Sequence, residues 1–65
     1  MIWINGTESE LGNGTTVATI AAELELPERG VAVALNGEVV PRGGWPAAVL
    51  RDHDRLEILT ATQGG

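Results

Sequence analysis

The sequence predicts an α+β domain in which one main helix packs across a mixed sheet of four to five strands. Three observations predict this class. Asn5-Gly6 and Asn36-Gly37 each separate two β-prone runs, and Asn-Gly is typical of two-residue hairpin turns. The segment between the two hairpins carries apolar residues at helical spacing. A further β-prone run follows at residues 55–61.

The first hairpin is predicted from residues 1–5, with a returning strand over residues 7–11. Gly12, Asn13 and Gly14 come next, and residues of these types tolerate the positive φ angles that end a strand.

One helix is predicted after this hairpin. Thr15 or Thr16 can cap its start, because a threonine hydroxyl accepts a hydrogen bond from a free amide of the first turn. Apolar residues spaced i, i+3, i+4, i+7 share one face of this helix: Val17, Ile20, Ala21 and Leu24. Pro27 is expected to close the helix, since the residue before a proline disfavours the α region. The helix is then about two to three turns long.

The second hairpin is predicted on either side of Asn36-Gly37. Residues 31–35 alternate large and small apolar side chains, as in a strand with one face in the core and the other closely covered. Residues 38–40 return until Pro41 stops the ladder, because proline has no amide proton to donate.

The segment after Pro41 is predicted to be an irregular crossover, with one helical turn that begins at Pro46. Three of its residues are expected to cover the core: Trp45, Val49 and Leu50. A polar turn over residues 51–54 then leads into the last strand, residues 55–61.

This order of elements predicts the ubiquitin-like β-grasp arrangement. A helix that links two hairpins must lie across their sheet to bury its apolar side. A right-handed crossover then places the first and last strands side by side and parallel in the middle of the sheet. Residues 1–61 are predicted to form this β-grasp domain, and residues 62–65 to form a flexible C-terminal diglycine tail.

Composition argues against several classes of function. The net charge is −5, there is no lysine, and the four arginines form no basic stripe, so nucleic acid and anionic membranes are not expected partners. The absence of cysteine excludes disulfides and thiolate metal sites. The single histidine argues against a multi-histidine metal centre. No apolar run is long enough to span a bilayer and no signal peptide is visible, so we expect a cytoplasmic protein.

Alternation along the first and last strands predicts a docking patch. If Ile2 and Ile4 meet the helix, Trp3 points to the other face of the sheet, and Leu59 and Ala61 do the same on the neighbouring last strand. We therefore expect Trp3, Leu59 and Ala61 to form one exposed apolar patch beside the tail.

The tail itself consists of small, uncharged residues: Thr62, Gln63, Gly64 and Gly65. It has almost no side chain to bury, so two interpretations stay open. It is an end without a function, or Gly65 supplies a chemically used carboxylate at the tip of a thin arm.

Several segments together resemble one known family. Residues 31–42 followed by Trp45, residues 52–59, and the final Gly64-Gly65 are similar to the thiamine-biosynthesis sulfur carriers of the ThiS family, within the ubiquitin-like ThiS/MoaD group. The resemblance covers essentially the whole chain. His53 stands where the family usually has glycine, and we interpret it as a left-handed turn residue, not a catalytic imidazole. The family also tends to have a larger apolar residue near Thr62.

The resemblance implies that the chain is a protein co-substrate and not an enzyme, and that it binds no cofactor itself. A ubiquitin-activating-like adenylyltransferase would use Mg-ATP to adenylate the carboxylate of Gly65, with Gly64 as the required spacer. Sulfur from a persulfide donor, supplied by a cysteine desulfurase, would leave a thiocarboxylate for thiazole synthase. The implied partner-binding residues are Trp3, Leu59, Ala61, Thr62 and Gln63.

Other functions remain alternatives. A carrier for molybdopterin or cysteine synthesis would share the diglycine and the adenylation step. A ubiquitin-like modifier would join Gly65 to lysines of target proteins. A plain binding module would keep its function without Gly64-Gly65. An independent enzyme is not expected, because no convergent pair of nucleophile and base is visible.

Overall fold

The computed structural model of the protein describes residues 1–60. In chain order the elements are β1 (Ile2–Ile4), β2 (Thr7–Ser9), α1 (Val17–Glu23), β3 (Val31–Leu35), β4 (Glu38–Val39), a 3₁₀ helix (Arg42–Ala47) and β5 (Arg55–Thr60). The predicted order of hairpin, helix, hairpin, crossover and strand is confirmed. Ala61, which we predicted to end the last strand, and the tail predicted over residues 62–65 lie outside the described residues.

The five strands form one mixed sheet in the order β2-β1-β5-β3-β4. β1 and β5 are parallel neighbours, with Trp3 opposite Arg55 and Ile4 opposite Leu56. The pairs β1–β2, β3–β4 and β3–β5 are antiparallel. The first strand and β5 therefore lie side by side and parallel inside the sheet, which confirms the predicted β-grasp arrangement.

Both hairpins turn at the predicted Asn-Gly dipeptides. The φ angles are 51° at Asn5 and 82° at Gly6, and 52° at Asn36 and 87° at Gly37. Positive φ at both central residues defines the type I′ turn, whose twist matches that of the flanking strands. Asparagine and glycine are the residues that adopt this conformation at least cost.

The returning strand β2 is shorter than the predicted 7–11. It pairs with β1 from Thr7 opposite Ile4 to Ser9 opposite Ile2. Since β1 begins at Ile2, residues beyond Ser9 have no partner among the described strands. Leu11 packs against the core instead.

The start of α1 confirms one of the two predicted caps. The amide of Thr19 donates to Oγ1 of Thr16 at 3.2 Å, and the amide of Thr16 donates to Oγ1 of Thr19 at 3.2 Å. This reciprocal pair is a capping box, which satisfies two amides that the helix itself cannot. Val17 and Ile20 then bury the predicted apolar side.

The end of α1 differs from the prediction. Glu25 adopts a left-handed φ of 54°, and the amides of Glu25 and Leu26 donate to carbonyls of the last turn at 3.1 and 3.0 Å. This is a Schellman motif, so the predicted closure by Pro27 is wrong. Leu24 becomes the cap residue and is 49% exposed, so its predicted place on the buried face is also wrong.

The crossover contains a 3₁₀ helix that begins four residues before the helical turn predicted at Pro46. Trp45 is buried, and its indole N–H donates to a backbone carbonyl at 2.9 Å. Leu50 is buried as predicted, but Val49 is 52% exposed and does not cover the core. Neighbouring residues of an extended segment point to opposite sides, so the inward position of Leu50 turns Val49 outward.

The core lies between the sheet, α1 and the 3₁₀ helix. Its buried members are Ile2, Val17, Ile20, Val33, Trp45, Leu50 and Leu56. Among residues 1–60, no buried side-chain nitrogen or oxygen lacks a hydrogen-bond partner. A core this small depends heavily on each large side chain, because burial of one contributes about 1.5–3 kcal/mol.

Leu56→Ala is expected to lower the free energy of unfolding by about 2–5 kcal/mol, because Leu56 is 1% exposed and its removal leaves a cavity. Leu59→Ala is the matched control on the same strand, 69% exposed, and should change that free energy by no more than about 0.5 kcal/mol. Urea denaturation measures both values. Equal losses in the two variants would contradict the assignment of the two faces.

Candidate functional site

The site predicted from the sequence is the end of β5 together with the residues after it. The residues whose roles stay predictions because they lie outside the described residues are Ala61, Thr62, Gln63, Gly64 and Gly65. The structure describes the base from which they continue. Thr60 pairs with Val31 on β3, and β5 is third among the five strands. The described chain therefore ends at Thr60, the last residue of the middle strand of the sheet.

Asn5 holds the part of β5 that precedes Thr60. The strand β1 ends at Ile4, and the side chain of Asn5 continues the ladder beyond it. The Ile58 amide donates to Oδ1 of Asn5 at 2.8 Å, and Nδ2 of Asn5 donates to the Ile58 carbonyl at 3.2 Å. A carboxamide offers a donor and an acceptor as a peptide group does, so Asn5 takes the place of a strand residue.

Asn36 holds the beginning of the same strand. The amide of Arg55 donates to Oδ1 of Asn36 at 2.9 Å, and Nδ2 of Asn36 donates to Oδ1 of Asp54 at 2.9 Å. The other oxygen of Asp54 accepts from the amide of Arg51 at 2.7 Å. The asparagines of the two Asn-Gly turns therefore hold β5 at its first residue, Arg55, and at Ile58. Their dipeptides signalled the turns in the sequence, but nothing there signalled these side-chain bonds.

Of the predicted patch of Trp3, Leu59 and Ala61, the two described members, Trp3 and Leu59, do not lie together, and Ala61 lies outside the described residues. Trp3 and Leu59 both point away from α1, as predicted, on what we call the outer face of the sheet. Trp3, however, lies opposite Arg55, four residues before Leu59, which is about 13 Å along a strand. The prediction of one contiguous patch is wrong because β1 pairs with the beginning of β5 and not with its end. The roles of these residues in partner binding stay predictions.

An apolar surface does lie beside Leu59, on β3 and β4. Ala32 is directly opposite Leu59, and Ala34 is directly opposite Val39. Leu59 and Val39 are 69% and 72% exposed. We call these four residues the outer patch: Ala32, Ala34, Val39 and Leu59. The prediction that the outer side of β3 is closely covered is wrong for Ala32, which is exposed.

Beside Leu59 the outer face is concave. A shallow groove is lined there by Gly30, Val31, Ala32, Leu59 and Thr60. The groove reaches Thr60, the last described residue, so a partner that binds it would contact the base of the predicted tail.

Trp3 occupies the opposite end of the outer face. Its ring stacks on His53, with centroids 6.3 Å apart and planes inclined by 25°. His53 has a φ of 74°, which confirms the predicted left-handed turn conformation. Its amide donates to the carbonyl of Met1 at 2.7 Å. The backbone of His53 therefore closes the turn before β5 against the beginning of the chain.

Asp52 is held in the same turn. Its carboxylate accepts a hydrogen bond from the amino group of Met1 and lies 3.6 Å from Nδ1 of His53. The hydrogen bond from the ammonium lowers the pKa of Asp52 below its ordinary value, and the electrostatic influence of His53 lowers this pKa further.

Two negative findings apply to residues 1–60. No three side chains of histidine, cysteine or carboxylate type lie close enough together there to hold a metal ion. No helix in this part of the chain has the length and apolar character to cross a membrane.

Comparison with known proteins matches residues 2–65 to the sequence model of the ThiS family. The sulfur carrier protein ThiS of Thermus thermophilus is 37% identical over 65 residues, which cover 100% of both chains. The ThiS of Escherichia coli is 28% identical over 98% of this chain and 97% of that one. The crystal structure of the thiamine biosynthesis protein ThiS from Geobacter metallireducens has a TM-score of 0.76 and 31% identity, and the match covers 98% of this chain and 97% of that one.

A longer relative matches as well. A thiazole synthase of Paramagnetospirillum magneticum is 37% identical over 62 residues, which are 95% of this chain and 19% of that protein. The chain therefore spans about a fifth of the length of this relative, but the whole length of the Thermus protein.

Asp52→Asn is expected to reduce the free energy of unfolding near neutral pH, with a difference from the parent that shrinks in acid. The folded-state pKa of Asp52 lies below its unfolded value, so the carboxylate stabilises the fold above the ordinary pKa of aspartate. That contribution is lost as the pH falls through the lowered pKa. Urea denaturation of both proteins across a pH series measures the difference. Glu38→Gln, on the exposed edge strand, controls for the loss of one negative charge. A difference that stays constant with pH would contradict the pKa assignment.

Proposed function

The chain belongs to the ThiS family, and on that premise we propose that it is a sulfur carrier protein of thiamine biosynthesis. The observation that carries the proposal is the full-length match, which extends to residue 65 and so includes the final diglycine. The Thermus and Escherichia relatives, both named sulfur carrier protein ThiS, match 100% and 98% of this chain.

The reacting group in this proposal is the carboxylate of Gly65. A carboxylate is a poor electrophile, so a ubiquitin-activating-like adenylyltransferase first uses Mg-ATP to form an acyl-adenylate and releases pyrophosphate. A persulfide, supplied by a cysteine desulfurase, then displaces AMP. Cleavage of the sulfur–sulfur bond by a thiol leaves a thiocarboxylate on Gly65. The carrier itself holds no cofactor in this scheme, since Mg-ATP binds to the activating partner.

Glycine at both final positions suits this chemistry. Without Cβ atoms, Gly64 and Gly65 can pass through a narrow channel and let the adenylate and the attacking sulfur approach closely. Gly64 serves as the spacer, and Thr62 and Gln63 are the proposed contacts within the channel entrance.

The outer patch supports a role in docking partner enzymes. Leu59 and Val39 expose most of their apolar surface, and the groove beside Leu59 reaches the base of the tail. A clustered apolar surface of this kind is typical of protein interfaces. A partner seated there would have the tail directed into its own active site, far from the polar end of the sheet at Trp3 and Arg55.

Thiazole synthase is the proposed sulfur acceptor. In the Paramagnetospirillum relative, a segment similar to this chain is part of a protein named thiazole synthase, and a second such relative comes from Magnetococcus marinus. The occurrence of a carrier-like segment within a protein named thiazole synthase supports a direct encounter between carrier and acceptor.

Incubation with the adenylyltransferase, Mg-ATP and a persulfide donor is expected to exchange one oxygen of Gly65 for sulfur. Intact-mass spectrometry with fragmentation locates the change. A residue added after Gly65, or Gly64→Phe, should abolish loading with an unchanged circular dichroism spectrum. Normal loading of the extended protein would overturn the proposal, and attachment to lysines of other proteins would favour a modifier.

Leu59→Arg is expected to lower kcat/KM for sulfur loading by at least about tenfold, the effect of losing about 1.4 kcal/mol at a docking contact. Leu24→Arg is the matched control, because Leu24 is also exposed but caps α1 on the other side of the sheet. It should change kcat/KM by less than about twofold. Equal losses in the two variants, measured with steady-state loading rates, would place docking elsewhere.

A further inference from the structure

The sequence contains a third Asn-Gly dipeptide, which lies outside the two hairpin turns. Asn5-Gly6 and Asn36-Gly37 form the hairpin turns, and Asn13-Gly14 lies between β2 and α1. In any Asn-Gly sequence the glycine amide nitrogen can attack the neighbouring asparagine side chain at Cγ. Glycine hinders this attack least, because it has no Cβ.

The two hairpin asparagines are held away from this reaction. Oδ1 and Nδ2 of Asn5 bond to Ile58 at 2.8 and 3.2 Å. Those of Asn36 bond to Arg55 and Asp54, both at 2.9 Å. Attack at Cγ requires the carboxamide to rotate over its own backbone, so both hydrogen bonds must break first. The two hairpin sites are therefore protected as long as β5 is in place.

Asn13 has no such restraint within residues 1–60. It is exposed in a turn, and no hydrogen bond joins its side chain to another described residue. The one side-chain bond across this turn runs from Oγ1 of Thr15 to the carbonyl of Gly12 at 2.9 Å. Gly14 has a φ of 72° and open space on its side-chain face. The carboxamide of Asn13 is consequently free to turn towards the Gly14 amide.

We infer that Asn13-Gly14 is a site of spontaneous deamidation and isomerisation in the folded protein. The Gly14 nitrogen loses its proton to solvent and bonds to Cγ of Asn13, while the Cγ–Nδ2 bond breaks and ammonia leaves. Water then opens the cyclic imide at either carbonyl and gives aspartate or isoaspartate. Neither oxidant nor reductant is required. The product carries one more carboxylate, which changes the formal net charge from −5 to −6.

The modified turn lies apart from the outer patch. Asn13 is three residues before Thr16, the N-cap of α1, on the connection between β2 and the helix. Deamidation there is therefore expected to leave the sulfur-loading activity proposed above unchanged, whereas conversion of Asn5 would remove the donor to the Ile58 carbonyl.

The test is to incubate the native protein in mildly alkaline buffer and follow all three sites by peptide mapping, with fragmentation that separates aspartate from isoaspartate. Asn13 is expected to convert at least about tenfold faster than Asn5 or Asn36. That factor corresponds to about 1.4 kcal/mol, the order of two hydrogen bonds that must open. In strong urea the protective hydrogen bonds are lost while each asparagine is still followed by glycine, so the three deamidation rates should become similar. Similar rates in the folded protein, or a difference that persists in urea, would overturn the inference.

Two variants test whether the asparagine side chains and their hydrogen bonds determine the rates of deamidation. Asn13→Gln should abolish the early charge change seen on an isoelectric gel, because attack would require a larger ring. Asp54→Ala removes the acceptor of Asn36 Nδ2 and should accelerate conversion at Asn36 but not at Asn5, in protein shown to be folded by circular dichroism. An unchanged rate at Asn36 would show that these hydrogen bonds do not protect the hairpin sites.

Discussion

The structure depends above all on how β5 is held. This strand lies between β1 and β3, and it supplies Leu56 to the core. Its ladder with β3 covers five residue pairs, whereas its ladder with β1 covers only two. Asn36 adds side-chain bonds to Asp54 and Arg55 at the start of β5, and Asn5 adds two to Ile58. Paired with β3 from Leu56 to Thr60 and bonded to both asparagines, β5 gives the residues after Thr60 a firm base.

Because side chains alternate between the two faces of each strand, the residues that stabilise the core differ from those that can bind a partner. Leu56 on β5 and Val33 on β3 face α1 and are fully buried. Leu59 and Ala32, on the same two strands, face outward and are directly opposite each other. Because alternate residues serve different purposes, the outer patch can suit a partner surface without disturbing the core. This separation is well suited to a small carrier that is proposed to meet several enzymes.

The sequence predicted those features that depend on local chemistry. Asn5-Gly6 and Asn36-Gly37 located both turns, because few dipeptides accept two successive positive φ angles. Thr15 and Thr16 marked the start of α1, and the structure assigns the cap to Thr16. The end of the helix was missed, since the left-handed position is held by Glu25, a residue with no special preference for it. The separation of Trp3 from Leu59 was missed because strand register is set by pairing between distant segments, which local patterns do not report. Gly64 and Gly65, beyond the described residues, left two interpretations open in the sequence, and only the family resemblance gave Gly65 a specific chemistry.

One feature of the pairing bears on how this protein is made. The bonds between Asn5 and Ile58 join residues 53 positions apart, and the strand that completes the centre of the sheet is β5, the last of the described elements. A nascent chain on the ribosome would thus carry both hairpins and the helix without the strand that unites them. Contacts of such long range are formed late and slowly. Folding of the domain therefore waits for synthesis, because the sheet closes only after β5 has emerged.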